Sequence, residues 1–250
     1  LDTTKIASVA IGAQASNPFQ TYLKKYDDVT TYRVQTISAI SELKELNEFD
    51  VVIISIHNDK LTDAAILQKI AKEKTTITTL FTSQYRLSSF KATTDSTSAL
   101  IVAYDNSEFA QISAAQGIFG GIEMNGRLPV SSGSFKEGTG IRTEKTRLSY
   151  SMPEEVGFNS LQFEDIENIA LEGVRQRAYP GCQILVAKDG VIIYEREFGN
   201  LNYGDSPDVT HETIYDLASI TKASATLPAI MKLYDEKKIA LQDNIGKYVG

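Results

Sequence analysis

The chain has 250 residues, enough for one large domain or two smaller ones. Hydrophobic residues make up 42% of it, charged residues make up 23%, and the net charge is −7 at pH 7. These are values of an ordinary globular protein. Because no basic patch stands out, nucleic acid is not an expected partner. No apolar run is long enough to predict a transmembrane segment.

Residues 1–132 alternate between strand and helix patterns. The predicted strands are residues 5–12, 30–35, 51–56, 75–82 and 99–104, and the predicted helices are residues 19–26, 38–49, 62–73 and 107–119. Ser107 is a plausible helix cap, and Gly120-Gly121 a plausible helix stop. This order predicts an α/β fold, in which a mostly parallel sheet is sandwiched by helices. The helix at 38–49 should place Ile40, Leu43 and Leu46 on one face.

Neither a cofactor nor a metal is expected. The loop Gly12-Ala13-Gln14-Ala15-Ser16 after the first strand lacks a dinucleotide-binding glycine pattern. The single cysteine and two histidines have no ligand-like spacing. Cys182 begins an apolar strand and is interpreted as a core residue. His57 follows a buried strand at the sheet edge where α/β proteins bind ligands, but an ordinary loop histidine is the favoured interpretation.

Residues 133–152 are rich in Ser, Gly, Thr, Lys and Arg, and we interpret them as an interdomain linker. Residues 153–250 then form a second part. Ser160 is expected to cap a helix at 160–177. Its predicted inward-facing residues are Phe163, Ile166, Ile169 and Val174. Asp189-Gly190, between two apolar strands, predicts a β-hairpin.

The S-x-x-K pattern occurs three times, at Ser41/Lys44, Ser88/Lys91 and Ser219/Lys222. The first copy is interpreted as exposed surface and the second as loop. The third copy is preceded by the apolar residues Ile214, Leu217 and Ala218. It is followed by an apolar helix whose predicted buried face carries Leu227, Ile230, Met231 and Tyr234. A lysine one helical turn after a serine can accept the serine proton if burial lowers the lysine pKa. The alternative is a helix-capping serine followed by a surface lysine.

Several motifs around this third copy occur together in one family. They are Pro180-Gly181-Cys182, the hairpin, Phe198-Gly199, Tyr215-Asp216-Leu217-Ala218-Ser219-Ile220-Thr221-Lys222, Met231-Lys232-Leu233-Tyr234 and Leu241-Gln242-Asp243. In this order, residues 153–250 resemble the N-terminal part of the serine β-lactamase, D-Ala-D-Ala-peptidase and esterase family, in its class C-like branch. The resemblance implies that Ser219 becomes acylated and that Lys222 helps to deprotonate it.

The chain also departs from this family. Pro228 should kink the helix near Ser224. The family's Tyr-x-Asn motif and its Lys-Thr-Gly or His-x-Gly strand have no counterpart before Gly250. In the family, those elements supply a second base and one wall of the oxyanion hole. The resemblance therefore implies a nucleophile without its full site.

A second resemblance covers residues 1–132. The strings Gln116-Gly117-Ile118-Phe119-Gly120-Gly121 and Asn125-Gly126-Arg127-Leu128-Pro129-Val130 resemble the end of the α/β sandwich domain of family-3 glycoside hydrolases, closest to β-N-acetylhexosaminidase-like members. In that family the nucleophile comes from a preceding barrel domain, so no glycosidase carboxylate is assigned here.

Since the chain opens at Leu1 without an initiator Met and stops soon after a helix, we expect it to be a piece of a longer protein. The leading hypothesis is a fragment of a bifunctional hydrolase that acts on a small-molecule, peptide or glycan substrate in bacterial cell-wall or glycan processing. The alternative is a non-catalytic α/β support or binding module with a degenerate hydrolase-like segment. An exported location is suggested by family resemblance alone, and the sequence predicts no oligomeric state.

Overall fold

The structure is a computed structural model that describes residues 4–58, 60–62 and 65–248. Residues 63 and 64, in the predicted first turn of the helix at 62–73, lie outside the described residues. The first five strands are β1 (Ile6–Ile11), β2 (Val29–Val34), β3 (Val51–Ile56), β4 (Thr75–Leu80) and β5 (Ala99–Val102). The helices among them are α1 (Pro18–Leu23), α2 (Ala65–Glu73), α3 (Lys91–Thr94) and α4 (Glu108–Ile118).

These five strands form one parallel sheet in the order β2-β1-β3-β4-β5. Strand β3 lies at its centre, where Ile54 is level with Val9 on one side and with Thr78 on the other. The nearly unbroken apolar sequence of β3 suits a strand that is covered on both faces. The predicted α/β fold is therefore confirmed.

Helices cover both faces of the sheet and enclose two hydrophobic cores. On one face Ile54 packs with Leu67 of α2 and Phe90, which directly precedes α3. On the other face Ile53 packs with Phe19 of α1 and Ala115 of α4. Successive strand residues point to opposite faces, so neighbouring isoleucines supply both cores. Full burial of each stabilises the fold by about 1.5–3 kcal/mol.

The predicted helix at residues 38–49 is wrong as a single α-helix. The chain forms two 3₁₀ segments instead, Ile37–Glu42 and Lys44–Glu48, separated by Leu43 with φ −82° and ψ 73°. The Ser41 hydroxyl donates to the Ser38 carbonyl oxygen at 2.7 Å, a local bond that competes with α-helical hydrogen bonding. Ile40 and Leu46 are nevertheless buried, because 3₁₀ turns still present them to the sheet.

Helix α4 begins as the sequence predicts. The Ser107 hydroxyl accepts a hydrogen bond from the Ala110 backbone N–H at 3.3 Å, which identifies Ser107 as the N-cap. The helix ends before Gly120, whose φ of +75° favours glycine. Both predicted boundary signals are therefore confirmed.

An aromatic cluster beside α4 holds residues 146–150 against the sheet-bearing part. The Tyr26 ring stacks on Phe119 at 5.5 Å and meets Tyr150 edge-on at 5.3 Å. The Tyr26 hydroxyl donates to Leu148 O at 2.9 Å and also lies 3.1 Å from Gln116 Oε1. Burial raises the pKa of Tyr150 to about 12 and also raises the pKa of Tyr26, so both phenols stay neutral well above physiological pH.

Replacing Gly121 with alanine is expected to destabilise this part by about 1–3 kcal/mol. A Cβ atom at position 121 would lie 2.0 Å from the Tyr26 hydroxyl oxygen, which is held by its hydrogen bonds. Gly126→Ala is the matched control, since a Cβ there meets nothing within 4 Å, and its effect should stay within about 0.5 kcal/mol. Urea unfolding followed by circular dichroism measures both. Equal stabilities of the two variants would contradict the expected clash.

The later elements are β6 (Ser149–Tyr150), α5 (Glu164–Arg175), β7 (Gly181–Lys188), β8 (Val191–Gly199) and α6 (Leu227–Asp235). Strands β6, β8 and β7 form a small mixed sheet in that order. The turn between β7 and β8 has φ +53° at Asp189 and +79° at Gly190. Two successive positive φ angles are typical of a type I′ hairpin turn, so the predicted hairpin is confirmed.

Asn159, and not Ser160, caps the helical segment that leads into α5. Its side chain accepts from the Leu161 N–H at 2.9 Å, while Gln162 Oε1 accepts from the Asn159 N–H at 3.1 Å. This is a capping box, whereas the Ser160 hydroxyl donates to Glu154 at 2.7 Å. The prediction of Ser160 as the cap is therefore wrong by one residue. Ile169 is also wrongly predicted to face inward, because it is 71% exposed and the buried residue is its neighbour Ala170.

Contacts divide the chain into two compact units, Leu1–Asp165 with Leu185–Glu195, and Ile166–Ile184 with Arg196–Gly250. The domain division 1–132, 133–152 and 153–250 stays a prediction. In the second unit, Gly181 packs closely against the Phe198 and Asn200 carbonyls, and Tyr179 donates to Ala170 O at 3.2 Å. Within the described residues, no helix has the length and apolar character needed to cross a membrane.

Candidate active site

The third S-x-x-K copy brings its two side chains together. Lys222 Nζ donates a hydrogen bond of 2.9 Å to Ser219 Oγ. Ser219 directly precedes the helical residues Ile220 and Thr221, so the amine and the hydroxyl lie one turn apart on the same side of the chain. In this arrangement a neutral lysine amine could take the serine proton without a change in backbone conformation.

The other two copies have their groups engaged elsewhere. Ser41 Oγ donates to Ser38 O, and Lys91 Nζ forms an ion pair with Asp95. Ser41 and Ser88 are both exposed. Geometry therefore distinguishes Ser219/Lys222 from the two copies that the sequence interprets as surface and loop.

The backbone before Ser219 has an unusual conformation. Ala218 has a φ of +43°, in the left-handed region that residues with a Cβ atom rarely adopt. Its N–H donates to Asp216 Oδ1 at 2.9 Å. The sequence analysis did not identify either feature as part of a site. The available signal was an aspartate two residues before a small residue, because an aspartate carboxylate often accepts a hydrogen bond from the backbone N–H of the residue two positions later.

The helix after Ser219 is not uniformly α-helical. Residues Lys222–Thr226 form a π-helical turn, and α6 follows from Leu227 with Pro228 in its first turn. Pro228 lacks the N–H that would bond to Ser224, and its ring crowds that carbonyl, so the helix widens there. The π-helical turn contains Ser224, near which the sequence predicts a kink. It also begins at Lys222, a predicted site residue, and π-helical turns frequently occur at functional sites.

The predicted buried face of α6 is wrong in this chain. Each of its four predicted core residues is at least 42% exposed: Leu227, Ile230, Met231 and Tyr234. The residues that precede Ser219 are also exposed, and Ile214 is 94% exposed. Ser219 and Lys222 are themselves exposed. The apolar face exists as the periodicity indicates, but the described residues of this unit place nothing over it.

A shallow cleft of about 480 Å³ lies near the end of the second unit. Its lining comes from residues 234–248 and includes neither Ser219 nor Lys222. In it, Lys247 Nζ pairs with Asp243 at 2.8 Å, a bond that lowers the pKa of the Asp243 carboxyl and raises that of Lys247. Because neither Ser219 nor Lys222 lines it, the cleft is not part of the candidate site.

His57 lies in the first unit as a buried and fully bonded residue. Its Nδ1 is 2.9 Å from Asn106 Oδ1, its Nε2 is 3.0 Å from Ser55 Oγ, and its ring stacks on Phe81 at 4.6 Å. Both ring nitrogens have partners inside the protein, which gives His57 a structural role. Among the residues that the structure describes, no group of three His, Cys, Asp or Glu side chains could hold a metal ion.

The first unit is expected to lose stability as the pH falls through the range in which His57 gains a proton. Burial lowers the pKa of His57 below its ordinary value of 6.5, with the Asn106 bond opposing this. The folded state therefore disfavours the charged imidazole. The contribution of neutral His57 to the free energy of unfolding is complete well above about pH 6.5, the ordinary histidine pKa. It is lost as the pH falls from there toward the lowered pKa of His57 in the folded state. Urea unfolding at pH 7.5 and 5.5 should show a steeper loss in the wild type than in His57→Gln. The exposed His211→Gln is the control; if His57→Gln has the wild-type slope, the linkage is wrong.

The comparisons with known proteins concern the part of the chain that carries this site. A family model described as β-lactamase matches residues 166–250. A protein of Escherichia coli O157:H7 named "Putative D-alanyl-D-alanine carboxypeptidase" is 35% identical over 109 residues, which are 41% of this chain and 25% of that protein. Proteins of the same name from Escherichia coli K12 and Salmonella enteritidis PT4 are 34% and 32% identical over the same length and shares.

The chain thus spans about a quarter of the length of the curated relatives it matches. No solved structure gives a significant match. The matched family and the matched relatives agree with the resemblance implied by the motifs around Ser219. Residues 166–250 are therefore similar to the β-lactamase family and to the carboxypeptidase-named relatives.

Proposed function

We propose that Ser219 is the acyl-accepting nucleophile of a serine hydrolase and that Lys222 is its general base. The observation that carries this proposal is the 2.9 Å hydrogen bond between Lys222 Nζ and Ser219 Oγ. In the proposed reaction Ser219 Oγ attacks a carbonyl carbon while its proton moves to Lys222 Nζ. The tetrahedral intermediate then expels an amine or alcohol, which takes that proton, and water hydrolyses the acyl-serine.

The substrate class that we propose is a D-alanyl peptide, a β-lactam or a related ester. Support comes from the name of the enterobacterial relatives and from the family match at residues 166–250. The helix that starts after Ser219 directs its positive end toward the serine, which favours the oxyanion of such an intermediate.

We further propose that the longer protein is bifunctional. The resemblance of residues 1–132 to the α/β sandwich domain of family-3 glycoside hydrolases supports a glycosidase-associated domain before the hydrolase. The five-stranded parallel sheet between helices suits such a domain, although this fold hosts many functions. The combination fits cell-wall or bacterial glycan processing, and the glycosidase barrel would precede the present sequence.

A fluorescent penicillin tests the serine hydrolase role. The full-length protein should become labelled at one site, and Ser219→Ala should abolish the labelling. Ser41→Ala is the matched control, since it alters another S-x-x-K serine, and it should label as the wild type does. Retained labelling in Ser219→Ala would refute the assignment of the nucleophile.

The 250-residue chain by itself should react slowly. Ser219 and Lys222 are exposed to water in it, so the reaction would lack the exclusion of water that strengthens catalytic contacts in a closed active site. The family's second base and oxyanion wall also have no counterpart in this sequence. Rapid labelling of the isolated chain at Ser219 would contradict this expectation. No labelling of either protein would favour the alternative of a non-catalytic module, which the exposure of the pair also supports.

A further inference from the structure

We propose that Asn125 is a site of spontaneous covalent modification, at which the asparagine converts to aspartate and isoaspartate through a succinimide. Asn125 is the only asparagine of the chain that a glycine follows. It lies in the first unit, so the proposal does not depend on the role of Ser219. The conversion requires no enzyme and no reactant other than water.

The reaction begins at the backbone nitrogen of Gly126. Once this nitrogen has given its proton to hydroxide, it attacks Asn125 Cγ and forms the new N–C bond of a five-membered ring. The bond between Cγ and Nδ2 breaks, and Nδ2 leaves as ammonia after taking a proton from water. Water then opens the ring. Cleavage between Cγ and the nitrogen gives aspartate, whereas cleavage between the backbone carbonyl carbon and the nitrogen gives isoaspartate, and no atom is oxidised or reduced.

The attacking nitrogen is unrestrained in the folded chain. Asn125 and Gly126 are both exposed and lie outside helices and strands. Among the residues that the structure describes, none accepts a hydrogen bond from the Gly126 N–H. A Cβ atom at position 126 would meet nothing within 4 Å, so there is open space in which the ring can form. Because glycine has no Cβ atom, its backbone also reaches conformations that other residues avoid.

Two other asparagines precede a serine, and in both the nitrogen that would attack is held. The Ser107 N–H, after Asn106, donates to Asp105 Oδ1 at 2.7 Å. The Ser160 N–H, after Asn159, donates to a glutamate carboxylate at 2.8 Å. The side-chain oxygens of both asparagines also accept hydrogen bonds from within the protein. Ring closure at these two positions would first have to break these bonds, so the structure separates them from Asn125.

Charged groups surround the amide that reacts. Asn125 Nδ2 donates to Glu123 Oε1 at 2.7 Å, and Glu123 Oε2 lies 3.5 Å from Arg142 Nη2. The next charge along the chain, Arg127, bonds to the Gly140 carbonyl oxygen. All three charged groups keep their charge between pH 7 and pH 8. Conversion replaces the donor on Asn125 with a second carboxylate beside Glu123, so a hydrogen bond gives way to repulsion.

The position of Asn125 gives the modification a structural consequence. The Thr143 N–H donates to Met124 O at 3.1 Å, and the Leu128 N–H donates to Thr139 O at 2.8 Å. Asn125 lies between these two attachments. Isoaspartate adds one carbon to the backbone there, so the two attachments no longer match in length. Modification should therefore loosen both of them.

The test is incubation of the 250-residue chain at pH 7 and pH 8, followed by peptide mass spectrometry that distinguishes aspartate from isoaspartate. Asn125 should give both products, about tenfold faster at the higher pH, because the deprotonated amide is about tenfold more abundant there. Conversion at Asn106 and Asn159 should be at least about tenfold slower. Equal rates at the three asparagines would overturn the proposal, as would formation of aspartate alone, which indicates direct hydrolysis.

Variants and urea separate the effects of sequence and structure. Gly126→Ala should slow the conversion by about tenfold, since a Cβ atom crowds the attacking nitrogen. Asn125→Gln should show no conversion at this position over the same time, because glutamine would have to close a six-membered ring. Unfolding in urea should speed conversion at Asn106 and Asn159 and change that at Asn125 by less than about threefold. Protection of Asn125 by the fold would overturn the proposal.

Amide hydrogen exchange measures the structural consequence. Exchange at Thr143 should be faster in the converted chain than in the fresh chain, and Asn125→Gln, incubated in the same way, should show no such change. Unchanged exchange at Thr143 after conversion would refute the expected loosening.

Discussion

Replacing Lys222 with alanine should slow acylation of Ser219 by about 10²–10⁴-fold in the full-length protein, the range typical of a lost general base. The reason is the single contact between Lys222 Nζ and Ser219 Oγ at 2.9 Å. Without an acceptor for its proton, the serine hydroxyl is a poor nucleophile at neutral pH. The second-order rate constant for reaction with a fluorescent penicillin measures the loss directly.

Two further variants separate proton transfer from charge. Lys222→Arg retains a cation but cannot accept a proton, so its rate should be as low as that of the alanine variant. Lys44→Ala removes the lysine of the S-x-x-K copy at Ser41 and should leave the rate unchanged. A Lys222→Ala protein that reacts within threefold of the wild type would exclude Lys222 as the base.

The parallel sheet could be predicted from the sequence because its strands carry their own signals. Strand β3 is an uninterrupted apolar run, and its observed bounds, Val51–Ile56, match the predicted ones. A run of this kind fits between two layers of helices and few other places. Turn and cap residues gave similarly local signals, as Asp189-Gly190 and Ser107 illustrate.

Errors occurred where a competing interaction decided the outcome. At residues 38–49 the apolar spacing favours a helix, but Ser41 bonds to the backbone of Ser38 and Leu43 adopts a non-helical conformation. At α6 the apolar spacing is real, yet Leu227 and Met231 are exposed. Periodicity identifies which face of a helix is apolar, but it does not reveal whether another element covers that face.

The candidate site likewise has one feature that the sequence predicts and one that it does not. Helical spacing alone predicts that Ser219 and Lys222 can meet, since a residue three positions on lies on the same side. The left-handed conformation of Ala218 could not be predicted, because it depends on a hydrogen bond from a specific backbone N–H to a specific oxygen of Asp216. Backbone strain of this kind is set by the folded turn and has no signature in composition or periodicity.

Amide hydrogens of the second unit are expected to exchange much faster than those of the parallel sheet. In the first unit two cores bury residues such as Ile54 and Phe19 completely. In residues 210–248, no side chain is classed as buried, and apolar residues such as Ile214 remain in contact with water. Regions with few buried apolar contacts open at a small fraction of the global free energy of unfolding.

Exchange measured by mass spectrometry of peptides should therefore be at least about 10³-fold faster in α6 than in β3, since a domain of ordinary stability opens globally at 5 kcal/mol or more. Gly121→Ala serves as an internal control: it weakens the first unit and should speed exchange in β3 with little effect on α6. Equal protection of α6 and β3 would mean that the apolar face of α6 is covered in solution. The exposed surroundings of Ser219 and Lys222 would then not describe the isolated chain, and the expectation of slow acylation would lose its physical basis.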